Sequence, residues 1–189
     1  MQYHFIERIK ITFLITIILS TFSVNGQHRW GQKPIELGYF LFSSKSFTPS
    51  IRYFDLVYFY PNLNALNLKS EFYNISSSLR LNYSGAEKML VNFMIDNPTS
   101  NIAESAYFDL ANFYYYKGKY SYALKWFKKI SSSDVDFYSK DEYYFNKGHT
   151  LFSTKQFKSS RQFFEKVKDV PKYEYDVNYY LGYISYQLD

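Results

Sequence analysis

The feature that most constrains the fold of this chain is a period of 36 to 37 residues that runs through most of its length. Residues of similar type return at this spacing in four columns. Two of the columns hold mostly small side chains. The first comprises Gly38, Asn74, Ala111, Gly148 and Gly182, and the third comprises Ser50, Ala86, Ala123 and Ser160. A fixed period of this length is the signature of a repeat protein, in which each unit buries its core against its neighbours.

The other two columns hold large apolar side chains, most of them aromatic. The second comprises Phe47, Tyr83, Tyr120 and Phe157, and the fourth comprises Phe54, Leu90, Phe127 and Phe164. All four columns advance by 36, 37 and 37 residues, and the first adds a step of 34. Because small side chains let two backbones approach closely, the small columns predict where paired elements touch, and the aromatic columns fill the space around that contact.

Within one unit, the apolar spacing is that of a helix. In the best-defined segment, apolar residues fall at i, i+3, i+4, i+7 and i+10, at Tyr120, Ala123, Leu124, Phe127 and Ile130. Gly118 separates this helix from the one before it, and glycine suits the left-handed conformation of a turn. Each unit is therefore predicted to be a hairpin of two helices, with Ala123 packed against Ala111. In the second unit, Ser84 followed by Glu87 predicts a capped start for the second helix.

The third and fourth units resemble the tetratricopeptide repeat (TPR), whose consensus runs Leu-Gly, Tyr, Gly, Tyr, Ala and Phe. The third unit matches at Tyr107, Leu110, Ala111, Tyr114, Gly118, Tyr120, Ala123 and Phe127, and the fourth at Tyr144, Gly148, Leu151, Phe157, Ser160 and Phe164. The resemblance covers residues 31–189 and is stronger in the second half. It implies an all-α fold, a right-handed superhelical solenoid of stacked hairpins. The chain is similar to the N-terminal part of exported multi-repeat proteins of the Bacteroidetes.

The repeat frame divides the chain into six segments. Residues 1–26 form an export signal, 27–66 a degenerate first hairpin, 67–100 a second, 101–138 a third, 139–172 a fourth, and 173–189 the first helix of an incomplete fifth hairpin. One hairpin cannot bury both of its faces, so we expect neighbouring units to share a core.

The N-terminal segment has the pattern of a secretory signal peptide. Arg8 and Lys10 precede the apolar residues 11–19, and Val24 and Gly26 place a cleavage point before Gln27. The alternative is a retained membrane-spanning helix, which needs about 20 apolar residues, more than this run supplies. We therefore expect export to the periplasm or cell envelope of a Gram-negative bacterium.

The composition excludes several kinds of chemistry. The chain has no cysteine, which removes disulfides, thiolate metal sites, cysteine nucleophiles and a lipid anchor on an N-terminal cysteine. Its net charge is +5, but the basic residues are scattered, whereas a nucleic-acid binder concentrates them in one stripe. After cleavage, His28 and His149 are the remaining histidines, and neither has the spacing of a metal motif. We expect no catalytic residue, no metal, no cofactor and no nucleic-acid partner.

The TPR resemblance implies a binding surface, because the concave groove of such proteins is lined by the first helix of each hairpin. The corresponding residues here are Tyr39, Phe42, Phe108, Asn112, Tyr115, Tyr116, Phe145, His149, Phe152, Tyr179, Tyr183 and Tyr186. Aromatic side chains commonly dominate the energetics of interfaces, so we expect a non-catalytic scaffold that binds a protein or peptide, with some association with the cell envelope. The alternatives are a carbohydrate- or peptidoglycan-binding module and an accessory to outer-membrane assembly. The rings have a second interpretation, packing between neighbouring helices.

Overall fold

The computed structural model of the chain describes residues 32–57, 64–98, 102–131 and 140–188. These ranges contain nine α-helices and no β-strand. In chain order the helices are α1 (Gln32–Ser43), α2 (Phe47–Val57), α3 (Asn64–Arg80), α4 (Ala86–Asp96), α5 (Ala103–Tyr116), α6 (Tyr120–Phe127), α7 (Lys140–Ser153), α8 (Phe157–Phe164) and α9 (Glu174–Leu188). The predicted export signal, the cleavage point before Gln27 and His28 lie outside the described residues. Within those residues, no helix is both long enough and apolar enough to cross a membrane.

The helices are arranged as stacked hairpins. Each helix packs against the next one in the chain, from α1 to α9. The first helices of neighbouring hairpins also touch, α1 with α3, α3 with α5 and α5 with α7. This two-level contact pattern is that of an all-α solenoid of TPR type, as the period predicts. It places α1, α3, α5 and α7 side by side along one surface.

Each described hairpin turns at a residue with a left-handed backbone. These residues are Lys45 (φ 59°), Asn82 (φ 57°), Gly118 (φ 67°) and Lys155 (φ 60°). The N–H of each donates to the carbonyl three residues earlier, as from Lys45 to Phe42 at 2.9 Å. Gly118 has the turn conformation that its sequence predicts. The other three turns adopt the same conformation at residues that carry a Cβ, for which a positive φ is energetically unfavourable.

The turn residues also fix the register of each unit, and the second unit departs from the sequence alignment. Lys155 lies seven positions after Gly148, and Lys45 and Gly118 lie seven positions after Gly38 and Ala111. Counting seven residues back from Asn82 leads to Ile75, which is buried. The placement of Asn74 in the first column is therefore wrong. Asn74 lies one position away, and its Nδ2 donates to Oδ1 of Asp55 in the preceding unit at 2.5 Å.

The start of α4 explains this shift. Ala86 lies four positions after Asn82, whereas Ala123 lies five positions after Gly118. The chain makes the shorter connection through Gly85, whose φ is 83° and which is the N-cap of α4 without any side-chain cap. The predicted capping box of Ser84 and Glu87 is thus wrong. The carboxylate of Glu87 instead accepts a hydrogen bond from the hydroxyl of Tyr114 in the next unit.

The small columns lie where paired helices touch. Ser50 Oγ donates to the carbonyl of Gly38 at 3.2 Å, and Ser160 Oγ donates to that of Gly148 at 2.8 Å. In the third hairpin, Ala111 and Ala123 are both fully buried in one cluster, as expected for a close helix contact. The buried clusters run across unit boundaries. One joins α3 and α4 to α5, and the next joins α5 and α6 to Tyr143 of α7.

Candidate functional site

A cavity of about 930 Å³ opens on the surface formed by the first helices. Side chains from α1, α3, α5 and α7 line it, together with residues that connect α8 to α9. Its lining includes Tyr39, Phe40, Phe42, Lys69, Tyr73, Arg80, Phe108, Asp141, Glu142, Lys172 and Tyr173. We call this cavity the groove. Because it is lined from the first hairpin to the segment after the fourth, it runs along the array rather than sitting within one repeat.

A second cavity of about 350 Å³ adjoins the groove and shares Lys45, Phe47, Arg80 and Glu142 with it. Other residues that line it are Leu79, Asn82, Asp109, Asn112, Phe113 and Tyr116. We call this second cavity the side pocket. Arg80 stands between the two spaces, so its interactions determine the shape and charge of both.

The guanidinium of Arg80 is held by charge and by aromatic rings. Its Nη2 lies 2.6 Å from Oδ1 of Asp109 on the next first helix. The same guanidinium lies 5.2 Å from the ring centre of Phe42 and 5.6 Å from that of Phe47, which are cation–π distances. Desolvation alone lowers the pKa of Arg80, but Asp109 and Glu142 outweigh it and raise that pKa above its ordinary value. Arg80 is therefore a permanently charged, fixed group.

The first helices of adjacent units are joined by a repeated side-chain contact. In each unit, the residue directly after the first-column residue contacts a side chain of the next unit. That side chain stands two positions before the first-column residue of the next unit. The rings of Tyr39 and Tyr73 are 4.7 Å apart, Ser76 donates to Asp109, Asn146 Nδ2 donates to Asn112 Oδ1 at 2.9 Å, and the rings of His149 and Tyr180 are 5.1 Å apart. The contacts are polar in the middle of the array and aromatic at both ends.

Three buried donors in these two spaces have no hydrogen-bond partner among the described residues. They are the hydroxyl of Tyr39, Nε of Arg80 and Nδ2 of Asn112. Burial raises the pKa of Tyr39, so its hydroxyl keeps the proton that it can donate. An unpaired buried donor costs about 1–3 kcal/mol. All three atoms are covered by protein, so this cost belongs to the fold, and a group bound in the open part of either cavity does not contact them.

The predicted groove residues separate into three groups. Tyr39, Phe42 and Phe108 line the groove, and Asn112 and Tyr116 line the side pocket, where the Tyr116 hydroxyl donates to Glu142 Oε1 at 2.8 Å. The second group is half-buried in ring contacts between the third, fourth and fifth units, and it comprises Tyr115, Phe145, His149 and Phe152. The third group lies on the exposed side of α9, with Tyr179, Tyr183 and Tyr186 exposed by 65, 41 and 81%.

His149 lies at the centre of the second group. Its ring centre is 5.5 Å from that of Tyr115, 5.3 Å from that of Tyr120 and 5.1 Å from that of Tyr180. Burial lowers the pKa of His149, so the imidazole is neutral at neutral pH. The described residues contain no group of His, Asp or Glu side chains that is able to hold a metal ion. The geometry makes His149 an aromatic packing residue between two units.

Sequence reasoning missed the charged residues of the groove, among them Lys69 and Arg80. The signal that identifies them is the turn at Asn82. With that residue as the reference, Lys69 and Arg80 take the second and thirteenth positions of their unit, both of which face the groove in the TPR pattern. The one-residue error in the second unit concealed them. Asp109 has no such signal, because an acid on a buried helix face is recognised only once its partner is in place.

Comparison with known families agrees with this architecture. A family model described as Tetratricopeptide repeat matches residues 141–171, which contain α7, α8 and the start of the following connection. No curated protein and no solved structure matches the chain. The described residues therefore form an all-helical repeat solenoid of TPR type, in which the fourth hairpin carries the recognisable repeat.

Proposed function

We propose that the protein is a non-catalytic scaffold that binds a protein or peptide partner in the groove. TPR repeats generally mediate protein–protein interaction. The observation that carries the proposal is the groove itself, a cavity of about 930 Å³ that is lined by aromatic and charged side chains of successive first helices. A peptide in an extended conformation can contact several of these helices at once, because the groove runs along the array.

The remaining lining of the groove fits a peptide with mixed side chains. Tyr39, Phe42, Phe47 and Tyr73 form a continuous run of ring contacts at 4.7–5.6 Å, against which an apolar side chain can pack. Charges of both signs line the same cavity, and they are the basic Lys45, Lys69, Arg80 and Lys172 and the acidic Asp141 and Glu142. The lining therefore supports a partner that carries an apolar anchor flanked by charged residues.

The test is capture of a partner by two charge-reversal variants. The groove variant combines Lys69→Glu with Lys172→Glu, both exposed residues at the cavity. The matched control combines Lys88→Glu with Lys158→Glu, exposed residues on the second helices α4 and α8. Pull-down from the native cell envelope, read by quantitative mass spectrometry, should recover a specific protein with the native chain and the control. Recovery with the groove variant should fall at least tenfold, and equal recovery with both variants would contradict the proposal.

A carbohydrate-binding role is the second candidate. Sugars stack on exposed aromatic rings, and Tyr175, Tyr179 and Tyr186 on α9 are exposed. Tyr179 contacts the ring of Tyr180 at 5.5 Å, whereas Tyr175 and Tyr186 contact no other described ring. The rings of the groove contact one another instead, which favours protein capture there. Co-sedimentation with purified peptidoglycan distinguishes the two roles. A Tyr175→Ala, Tyr179→Ala, Tyr186→Ala variant that loses co-sedimentation would support sugar binding at α9.

The proposed place of action is the periplasm or cell envelope. The charged start, short apolar stretch and small residues of segment 1–26 support export and cleavage before Gln27. N-terminal sequencing of the protein from fractionated cells should give Gln27 as the first residue in the envelope fraction. Recovery of Met1 in the cytoplasmic fraction would contradict this location.

A further inference from the structure

Exposed lysines are concentrated on the second helices of the third and fourth hairpins. Residues 117–129 and 153–169, which contain α6 and α8, have nine exposed lysines and two exposed carboxylates. The chain as a whole has a net charge of +5, so these segments carry most of its positive charge. We call the surface formed by these lysines the lysine face, and its members are Lys117, Lys119, Lys125, Lys128, Lys129, Lys155, Lys158, Lys166 and Lys168.

Helix packing places these lysines on the outer side of the array. Phe127 of α6 is fully buried and its ring contacts that of Tyr143 in α7. Phe164 of α8 is fully buried and lies against Gly148, also in α7. Lys125 is two positions from Phe127 and therefore lies on the opposite side of α6. The repeat carries this arrangement from one hairpin to the next, so lysines that are scattered in the sequence lie on one side of the array.

Aromatic rings hold some of these ammonium groups at the surface. Lys125 Nζ lies 5.1 Å from the ring centre of Tyr122, which is itself 53% exposed. Lys129 Nζ lies 5.0 Å from the ring centre of Trp126 and 5.1 Å from that of Tyr107. These are cation–π distances. Because the contacts restrict the lysine side chains, less conformational entropy is lost when the ammonium groups bind an anion.

Little of this charge is neutralised by neighbouring carboxylates. Within the described part of the chain, the lysine face makes one ion pair, between Lys168 and Glu165 at 3.4 Å. The one arginine of these segments, Arg161, is half-buried and donates to Ser185 in α9, so it is not part of the face. The groove and the side pocket do not include any of the nine lysines in their lining. The lysine face is therefore a separate, positively charged surface.

We propose that the lysine face binds the surface of an anionic lipid bilayer. Clusters of lysine are attracted to the negative potential of acidic headgroups, and the attraction is the sum of many weak contacts. Every exposed cation of the face is a lysine, a point charge, whereas recognition of individual phosphates favours the bidentate geometry of arginine. Tyr122 and Trp126 fit the same partner, because tyrosine and tryptophan rings suit the headgroup level of a membrane. This contact goes beyond the proposed function and leaves the groove free.

Co-sedimentation of the full chain with lipid vesicles tests this inference. One set of vesicles is pure phosphatidylcholine, and the other is an equal mixture of phosphatidylcholine and phosphatidylglycerol. The neutral vesicles measure the contribution of the apolar residues 11–19, so the ratio of the two affinities reports the part that depends on charge. We expect at least tenfold tighter binding to the anionic vesicles at about 0.1 M salt, where the Debye length is about 10 Å, and loss of this preference at about 1 M, where it is about 3 Å.

Charge-reversal variants identify the surface that makes the contact. Lys125→Glu combined with Lys166→Glu should lower the affinity ratio at least fivefold, whereas Lys125→Arg with Lys166→Arg retains the charge and should keep the ratio. The matched control is the groove variant, Lys69→Glu with Lys172→Glu, which changes the net charge by the same amount and should stay within twofold of the native chain. Circular dichroism verifies that all three variants are folded.

Three results would overturn the proposal. One is equal affinity of the native chain for the two kinds of vesicle. Another is an equal loss of binding in the lysine-face and groove variants, which would indicate a response to net charge alone. The third is tighter binding to a DNA duplex than to anionic vesicles at matched phosphate concentration, which would assign the face to a nucleic acid. The groove proposal is independent of these results, because none of the nine lysines lines the groove.

Discussion

At the scale of single residues, identical side chains have opposite consequences in different surroundings. Gly148 is buried against Phe164, and Gly182 is exposed. Lys147 is half-buried on α7 between Tyr143 and Phe163, at the position where the third unit has Leu110. At each of these positions, the surrounding side chains predict whether a substitution raises or lowers the stability of the fold.

Alanine at the two glycines should change stability in opposite directions. Gly148→Ala places a Cβ 3.0 Å from the Phe164 ring, which is fully buried and has little room to move. We expect the overpacking, about 1–3 kcal/mol, to exceed the gain of up to about 1 kcal/mol in helix propensity. Gly182→Ala adds a methyl group to open space and gains up to about 1 kcal/mol of helix propensity. Chemical denaturation of both variants measures the difference. A loss of stability in both would mean that the face of α9 is covered in the free protein.

The pKa of Lys147 predicts a pH dependence of folding. Burial lowers this pKa to about 8 from its ordinary value of 10.5. Below pH 8 the lysine is charged in both the folded and unfolded states, and the cost of burying the charge is fully present. Between pH 8 and 10.5 the folded state has released the proton and the unfolded state still holds it, so this group makes stability rise with pH.

Lys147→Leu should therefore raise the melting temperature at pH 7, and its advantage over the native chain should shrink between pH 8 and 10. Lys158→Leu, at an exposed position of α8, is the control for replacing a lysine by leucine in the same hairpin. Differential scanning fluorimetry across this range gives both curves. If the Lys147→Leu advantage is constant with pH, the ammonium is not desolvated in the folded state.

At the scale of the helical elements, the turns carry most of the information about register. Three of the four described turns place a residue other than glycine in a left-handed conformation, at Lys45, Asn82 and Lys155. All four turns adopt the same left-handed backbone conformation, although only one of them has glycine at that position. This is why the third hairpin, which has Gly118, is recognisable in the sequence and the second hairpin is out of register.

Glycine at Lys155 should stabilise the fourth hairpin. The left-handed conformation costs a residue with a Cβ about 1–2 kcal/mol, and glycine avoids this cost while giving the unfolded chain more freedom. We expect Lys155→Gly to increase the free energy of unfolding by about 0.5–1 kcal/mol. Gln162→Gly, at an exposed position within α8, should lower it by about 1 kcal/mol. Urea denaturation distinguishes them, and destabilisation by Lys155→Gly would contradict the turn geometry.

The sequence predicts the hairpins well because the spacing of small and aromatic residues is set by helix geometry alone. It misses the shorter connection at Gly85. Shifting the first helix of the second unit by one residue still leaves a residue of acceptable type in every column, so the alignment gives no sign of the error. The candidate site is partly predictable for the same reason. The helix position identifies Tyr39 and Asn112, but whether a ring such as Phe145 is exposed depends on the next unit, against whose Tyr173 it stacks at 4.3 Å.

At the scale of the whole molecule, the array presents two different surfaces. The groove runs along the first helices and combines fixed charge at Arg80 with a run of aromatic rings. The face of α9 presents an open hairpin surface at Gly182. We propose that an extended peptide binds in the groove.

Photo-cross-linking in cells tests the central claim, that the groove binds a protein, most directly. A benzophenone amino acid at Phe40, an exposed ring of the groove, should yield a discrete cross-linked protein of defined mass. The same group at Tyr122, an exposed ring on the second helix α6, should yield none of that product. Cross-linking from position 40 that is lost on combining it with Lys69→Glu and Lys172→Glu is the result that the account predicts. Absence of any product from position 40, or the same product from position 122, would contradict it.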